Sequence, residues 1–256
     1  MMKKSVLIAA PALALFAAVA AASPAMAGGS TSYQATLTQL NGSHATGNVT
    51  LSLSGNQATI TEHVSGLAAT FSGKPYPHVQ HIHIGADGTC PTTAADTNHD
   101  GVISTTEGAP SYGAIGTTLS TSGDTSPAAG TTLTVAPSGA SYTYNRTIDL
   151  SAATLASLQA GKAVVVVHGL DPATLSAAAQ AEKSDLVPSL PLAATSPALC
   201  GTLVASQMTM PTGGAQTGGG ATASGPDLGL LGLGGGLLAA AAAAGTVVMR
   251  RKQLSR

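Results

Sequence analysis

The segment His78-Val-Gln-His81-Ile-His83 places three of the chain's seven histidines within six residues, in a sequence only 8% charged. On a strand from Val79 to Ile84, side chains alternate between faces, so His81 and His83 share one face and His78 takes the other. Two adjacent imidazoles make a poor apolar core but half of a metal site. A third, His168, closes the run Ala163-Val-Val-Val-Val-His168, where a histidine has little packing reason to stand. His81, His83 and His168, drawn from two strands, form a three-imidazole set. With nitrogen donors alone, divalent copper is the tightest first-row ion and zinc the next. The alternative is three structural or solvent-facing histidines.

A second metal pattern follows. Asp96-Thr-Asn98-His99-Asp100-Gly101-Val102-Ile-Ser104-Thr-Thr-Glu107 puts oxygen donors at positions 1, 3, 5, 9 and 12 of a twelve-residue loop. Gly101 supplies the sharp turn at the sixth position, and Val102 offers its backbone carbonyl at the seventh. Calcium needs such a set of hard oxygens; the alternative is an Asp/Asn-rich turn. No flanking pair of helices is legible, so the expected role is a cation-ordered surface loop rather than a sensor that opens. His99, at the fourth position, and His78 are further metal candidates. The chain's two cysteines, Cys90 and Cys200, pair most simply with each other in a secreted protein. Their bond would pin the long loop after the histidines to the last strand.

The elements that must hold these groups are short, Thr- and Val-rich alternating segments separated by Gly, Asn and Ser. Strands are expected at 33–40, 47–53, 58–64, 131–135, 141–149, 163–168 and 199–204, with a polar loop from Ala86 to Ala114. The four consecutive valines imply a central strand buried on both faces. Helices are expected at Ala152–Gln159, capped by Ser151 and stopped by Gly161, and at Pro172–Lys183. The pattern predicts an all-β antiparallel sandwich or barrel of about eight strands with two short helices and one long metal-binding loop.

The ends carry different signals. Residues 1–27 read as a secretory leader: Lys3 and Lys4, an apolar run from Val6 to Ala22, and Ala25-Met-Ala27 as a cleavage site. The β domain then spans 28–205 and a Gly/Thr/Ala stalk 206–227, where Met208 and Met210 are weak candidates for cuprous copper. Leu228 to Met249 is uncharged and long enough for a transmembrane helix, and the basic tail 250–256 holds that side in the cytoplasm. The expected protein sits on the extracellular face of the membrane, single-pass, with its N-terminus outside. Within the domain, four basic residues (Lys74, Arg146, Lys162, Lys183) face ten acidic ones, which argues against nucleic acid as a partner. The absence of Trp and a 3% aromatic content leave no carbohydrate-stacking platform. The expected partners are metal ions and the membrane; no protein partner can be named.

His78-x-x-His81-x-His83, a glycine, Cys90, then Val-Val-Val-His168 and Ala198-Leu-Cys200-Gly201 resemble the copper/zinc superoxide dismutase family, and Val64-Ser-Gly-Leu67 fits the same pattern. The stretch Asp149-Leu-Ser-Ala-Ala to Gln159-Ala-Gly161, with His81-Ile-His83 and His168, also resembles the CHRD (chordin-type) domain. The resemblance implies a Greek-key β-barrel, copper on His81, His83 and His168, and a structural Cys90–Cys200 disulfide. It departs from the dismutase pattern at two places. The bridging histidine and further zinc ligands are missing, with His99 next in line inside the calcium-type loop, so a second, zinc site is not expected. Pro197 stands where the family keeps an anion-orienting arginine three residues before the second cysteine. The expectation is a metal-binding domain, with a copper-only dismutase-like oxidoreductase as the alternative.

Overall fold

The structure, a computed structural model, describes residues 30–206. The leader 1–27, nearly all of the stalk 206–227, Met208, Met210, the apolar segment 228–249 and the basic tail lie outside the described residues. Among the described residues no helix is long and apolar enough to cross a membrane.

The strands are β1 (Thr31–Gln39), β2 (Thr46–Ser54), β3 (Gln57–Ser65), β4 (Thr70–Phe71), β5 (Lys74–Pro75), β6 (Gln80–Ile84), β7 (Ala114–Thr118), β8 (Ser141–Asp149), β9 (Val164–His168), β10 (Pro197–Thr202) and β11 (Val204–Ala205). The helices are α1 (Thr105–Tyr112), α2 (Ala152–Gln159), α3 (Ala177–Ala181) and α4 (Leu192–Thr195). Nine strands form one curled antiparallel sheet in the order β7-β6-β9-β10-β1-β2-β3-β8, with β11 also on β1; β4 and β5 pair separately. Strand β1 makes the curl by changing partners along its length. Thr31 to Leu37 pair with β2, whereas Thr38 and Gln39 pair with Cys200 and Leu199 of β10.

Alternation decides what faces inward. Tyr33, Ala35 and Leu37 of β1, Val49, Leu51 and Leu53 of β2, and Ala58, Ile60 and Val64 of β3 are buried, with polar neighbours between them turned outward. One inward position on β3 breaks the rule: Glu62 is fully buried. All five residues of β9 are buried, as four consecutive valines require. Val165 and Val167 enter the main core, whereas Val164 and Val166 pack outside it against Tyr112 of α1 and the cystine. The segment after β6 therefore forms a second layer over β6 and β9, stapled there by the Cys90–Cys200 disulfide.

Four expectations need correction. The long loop contains a helix, α1, and the strand β7 begins where that loop was expected to end. Thr131-Thr-Leu-Thr-Val135 is not a strand: Leu133–Val135 is a 3₁₀ turn whose Leu133 is exposed, because no core face is available to it. The second expected helix breaks into a 3₁₀ turn at Pro172–Thr174 and α3, where Ser176 in extended conformation caps a new start. The last strand begins two residues early, at Pro197. Helix α2 forms as expected on its Ser151 cap.

Candidate metal centre

On β6, Gln80 and Ile82 turn inward, and His81 and His83 turn out beneath the second layer; on β9, His168 does the same. Strands β6 and β9 are hydrogen-bonded neighbours, so the three rings meet although 85 residues separate His83 from His168. Ring centroids lie 5.3–5.9 Å apart, and one donor atom from each histidine lies within 4.8 Å of the others. Among the described residues this is the one group of His, Cys, Asp or Glu side chains whose donor atoms converge in this way.

Each ring is held by a backbone carbonyl. His81 Nε2 lies 2.9 Å from Gly130 O, His83 Nδ1 lies 2.9 Å from Gly113 O, and His168 Nδ1 lies 2.6 Å from Thr195 O. A carbonyl only accepts, so the proton of each neutral ring sits on that nitrogen. Nδ1 of His81 and Nε2 of His83 and His168 remain as lone-pair donors. The free nitrogens of His81 and His83 are buried with no hydrogen-bond partner, a costly state unless a ligand meets them. Orienting the far nitrogen of a metal-binding histidine with a carbonyl is the arrangement metal sites use.

Burial, helped by the neighbouring imidazoles, holds His81 well below the ordinary histidine range and His83 at about 3. Burial also holds His168 at about 4, against the opposing effect of its Thr195 hydrogen bond. At neutral pH the trio is uncharged and ready to bind a cation without releasing protons.

The ends of helix α1 border the carbonyls that hold two of the three rings. Gly113 ends the helix at φ +90°, and a Cβ there would overlap Ile84 O, so only glycine turns this carbonyl toward His83. Tyr112 packs edge-on against His83 with centroids 4.7 Å apart. At the other end, the Thr105 hydroxyl donates to Thr195 O at 2.5 Å. These carbonyl partners and the helix were not legible beforehand; a glycine just past Ser104-x-x-Glu107 and eight helical residues was the available signal.

His78 lies outside the group. Its Nδ1 is 3.0 Å from His168 O and its Nε2 is 3.0 Å from Ala68 O, so both nitrogens are engaged by backbone. It supports the strand that carries His168. His99 is exposed in the loop at φ +62°. Pro197 is buried opposite His168, and its carbonyl accepts from Asn41 Nδ2 at 3.0 Å.

The loop from Asp96 to Glu107 is folded on its own oxygens. Asp96 Oδ2 accepts from Gly101 N–H, Asn98 Oδ1 from Asp100 N–H, and Asp100 Oδ1 from Val102 N–H. Gly101 has the positive φ, +90°, that the sharp turn requires. Ser104 and Glu107 form a reciprocal capping box at the start of α1, and Glu107 Oε1 also accepts from Thr97 and Asn98. Partial burial raises the Glu107 pKa, but these hydrogen bonds prevail and hold it at about 2. Glu182, a residue the motif did not include, faces this loop. Partial burial and then the charges of Asp100 and Glu107 raise its pKa.

Fold and site together define a β protein with a buried, carbonyl-oriented three-imidazole centre. Compared with known proteins, the chain matches no protein-family model and no curated protein sequence.

Proposed function

We propose that this chain is a copper-binding domain of the copper/zinc superoxide dismutase type, overlapping the CHRD pattern, displayed outside the cell and tethered by residues 228–249. Copper would be held by His81, His83 and His168, with the 96–107 loop ordered by calcium. The observation that carries the reading is the convergence of three neutral imidazoles, each with one nitrogen fixed by a carbonyl and the other free. Copper is favoured over zinc because the donor set is nitrogen only. The order β7-β6-β9-β10-β1-β2-β3-β8 supports the Greek-key part, since β6 lies beside β9 and β1 beside β10 across long connections.

Binding is favoured over turnover by the surroundings of the trio. Among the described residues no Lys or Arg lines its cavity, and Pro197 replaces the arginine expected to steer a small anion. The test is metal analysis of the purified full chain, followed by a superoxide-consumption assay on the copper-loaded form. The expected result is retained copper that is lost in His168→Ala, with little superoxide consumption. Strong consumption that disappears in His168→Ala would replace this reading with the oxidoreductase one. Failure to retain copper at micromolar concentration would remove both.

A further inference from the structure

The three histidines open into a cavity of about 440 Å³ between α1, the start of β7 and the 127–131 segment. Its walls include Ala109, Ile115, Pro127 and Leu186, and among the described residues the only titratable side chains lining it are the three histidines. Two physical consequences follow. A divalent ion on three neutral imidazoles leaves positive charge that no lining carboxylate offsets, so the open coordination position favours an anion. A two-atom anion would fill little of this space and leave most of the apolar wall uncovered. Cavities of roughly 300–1,000 Å³ with mostly apolar walls and a few convergent polar groups suit small organic molecules.

We propose that the cavity takes a small organic monoanion, with one carboxylate or phenolate oxygen directed at the metal and an apolar body against Ala109, Ile115, Pro127 and Leu186. The charge is recognised by the metal and the body by the wall, so neither half suffices alone. Leu186 is half exposed, at 51%, so it can lose its side chain without opening the core. This inference rests on the three-imidazole site holding copper.

The experiment titrates benzoate, acetate and benzamide into the copper-loaded full chain and follows the visible absorption of the metal. Copper content is measured before any ligand is added. Benzoate is expected to bind at least about tenfold more tightly than acetate, which lacks the ring, and than benzamide, which lacks the charge. Leu186→Ala should weaken benzoate several-fold and leave acetate unchanged. Equal affinity for benzoate and acetate overturns the role of the wall, and equal affinity for benzoate and benzamide overturns the role of the charge. Either result with copper retained removes this proposal alone. A chain that retains no copper removes the metal reading and this proposal with it.

Discussion

Thr105 and His168 share one acceptor. The Thr105 hydroxyl reaches Thr195 O at 2.5 Å, and His168 Nδ1 reaches the same oxygen at 2.6 Å. The first residue of α1 is thereby joined to a candidate metal ligand on β9, and the last turn of the same helix leads to Gly113 O on His83. The two ends of one eight-residue helix thus border the carbonyls that hold two of the three rings, Gly113 O just past it and Thr195 O on α4.

Thr105→Val keeps the shape of that contact and removes its donor. The variant should fold, and its copper affinity should fall by a few-fold, less than the roughly 10–100-fold loss seen when a ligand's own hydrogen-bond partner is removed, because Thr195 O still accepts from His168. Competition against a chelator of known affinity measures this. Unchanged affinity would mean that α1 does not position His168.

Calcium should stabilise the chain through the 96–107 loop. At about 10 mM calcium and a dissociation constant of about 10⁻⁴–10⁻³ M, binding adds about 1.4–2.7 kcal/mol and raises Tm by several degrees. Glu107→Gln is the informative change, because Gln at this position preserves the capping box while removing the charge at the twelfth loop position. It should lower the calcium-free Tm somewhat, because one amide oxygen cannot accept from Ser104 and from Thr97 and Asn98 at once, and it should lose the calcium response. No rise in the unaltered chain sinks the calcium assignment.

Burial governs which elements the sequence makes legible. Period-two alternation reveals a strand when one face is buried, which is why β1, β2, β3 and β8 were legible and the exposed Thr131–Val135 misled. Strand β7 escaped because Gly116 lies at its centre. A Cβ there would come within 2.8 Å of Ile84 and Thr154, so packing selects the glycine that weakens the strand signal. Helix α1 was hidden by Gly108 and Pro110, and by Ser104 and Glu107 serving equally as a helix start and as calcium-type positions. The histidine trio was visible as residue types. Its carbonyl partners were not, since Gly130 and Thr195 reach their rings across 49 and 27 residues, and a backbone oxygen has no signature in sequence.

The Cys90–Cys200 disulfide spans 110 residues. In the chain-entropy account a closure of that length contributes about 4–5 kcal/mol. Replacing both cysteines by serine should lower unfolding free energy by several kcal/mol in denaturant titration. It should also weaken copper binding, because the second layer that carries Gly113 is then held without a covalent tie, by packing and by hydrogen bonds such as Thr105 to Thr195 O and Asn41 to Ile103. A double variant as stable as the parent would show that the staple is not needed.

Glu62 makes the stability of the fold depend on pH. It is fully buried on β3, and neither carboxyl oxygen has a hydrogen-bond partner. Burial pushes its pKa up to about 8; the Gln80 amide, which donates to Leu119 O instead, opposes this without forming a bond to the carboxyl. The folded chain thus keeps a proton that the unfolded chain releases near 4.5. Stability is unaffected by this group below about pH 4.5 and falls progressively as pH rises toward about 8. Above that both states are ionised and the cost is constant, on the order of several kcal/mol. Glu62→Gln removes the titration, so its urea midpoint should change much less between pH 5 and pH 8 than that of the parent. The variant should gain most over the parent at the alkaline end. Parallel pH profiles for the two proteins would show that Glu62 finds a partner when ionised, and would defeat the prediction.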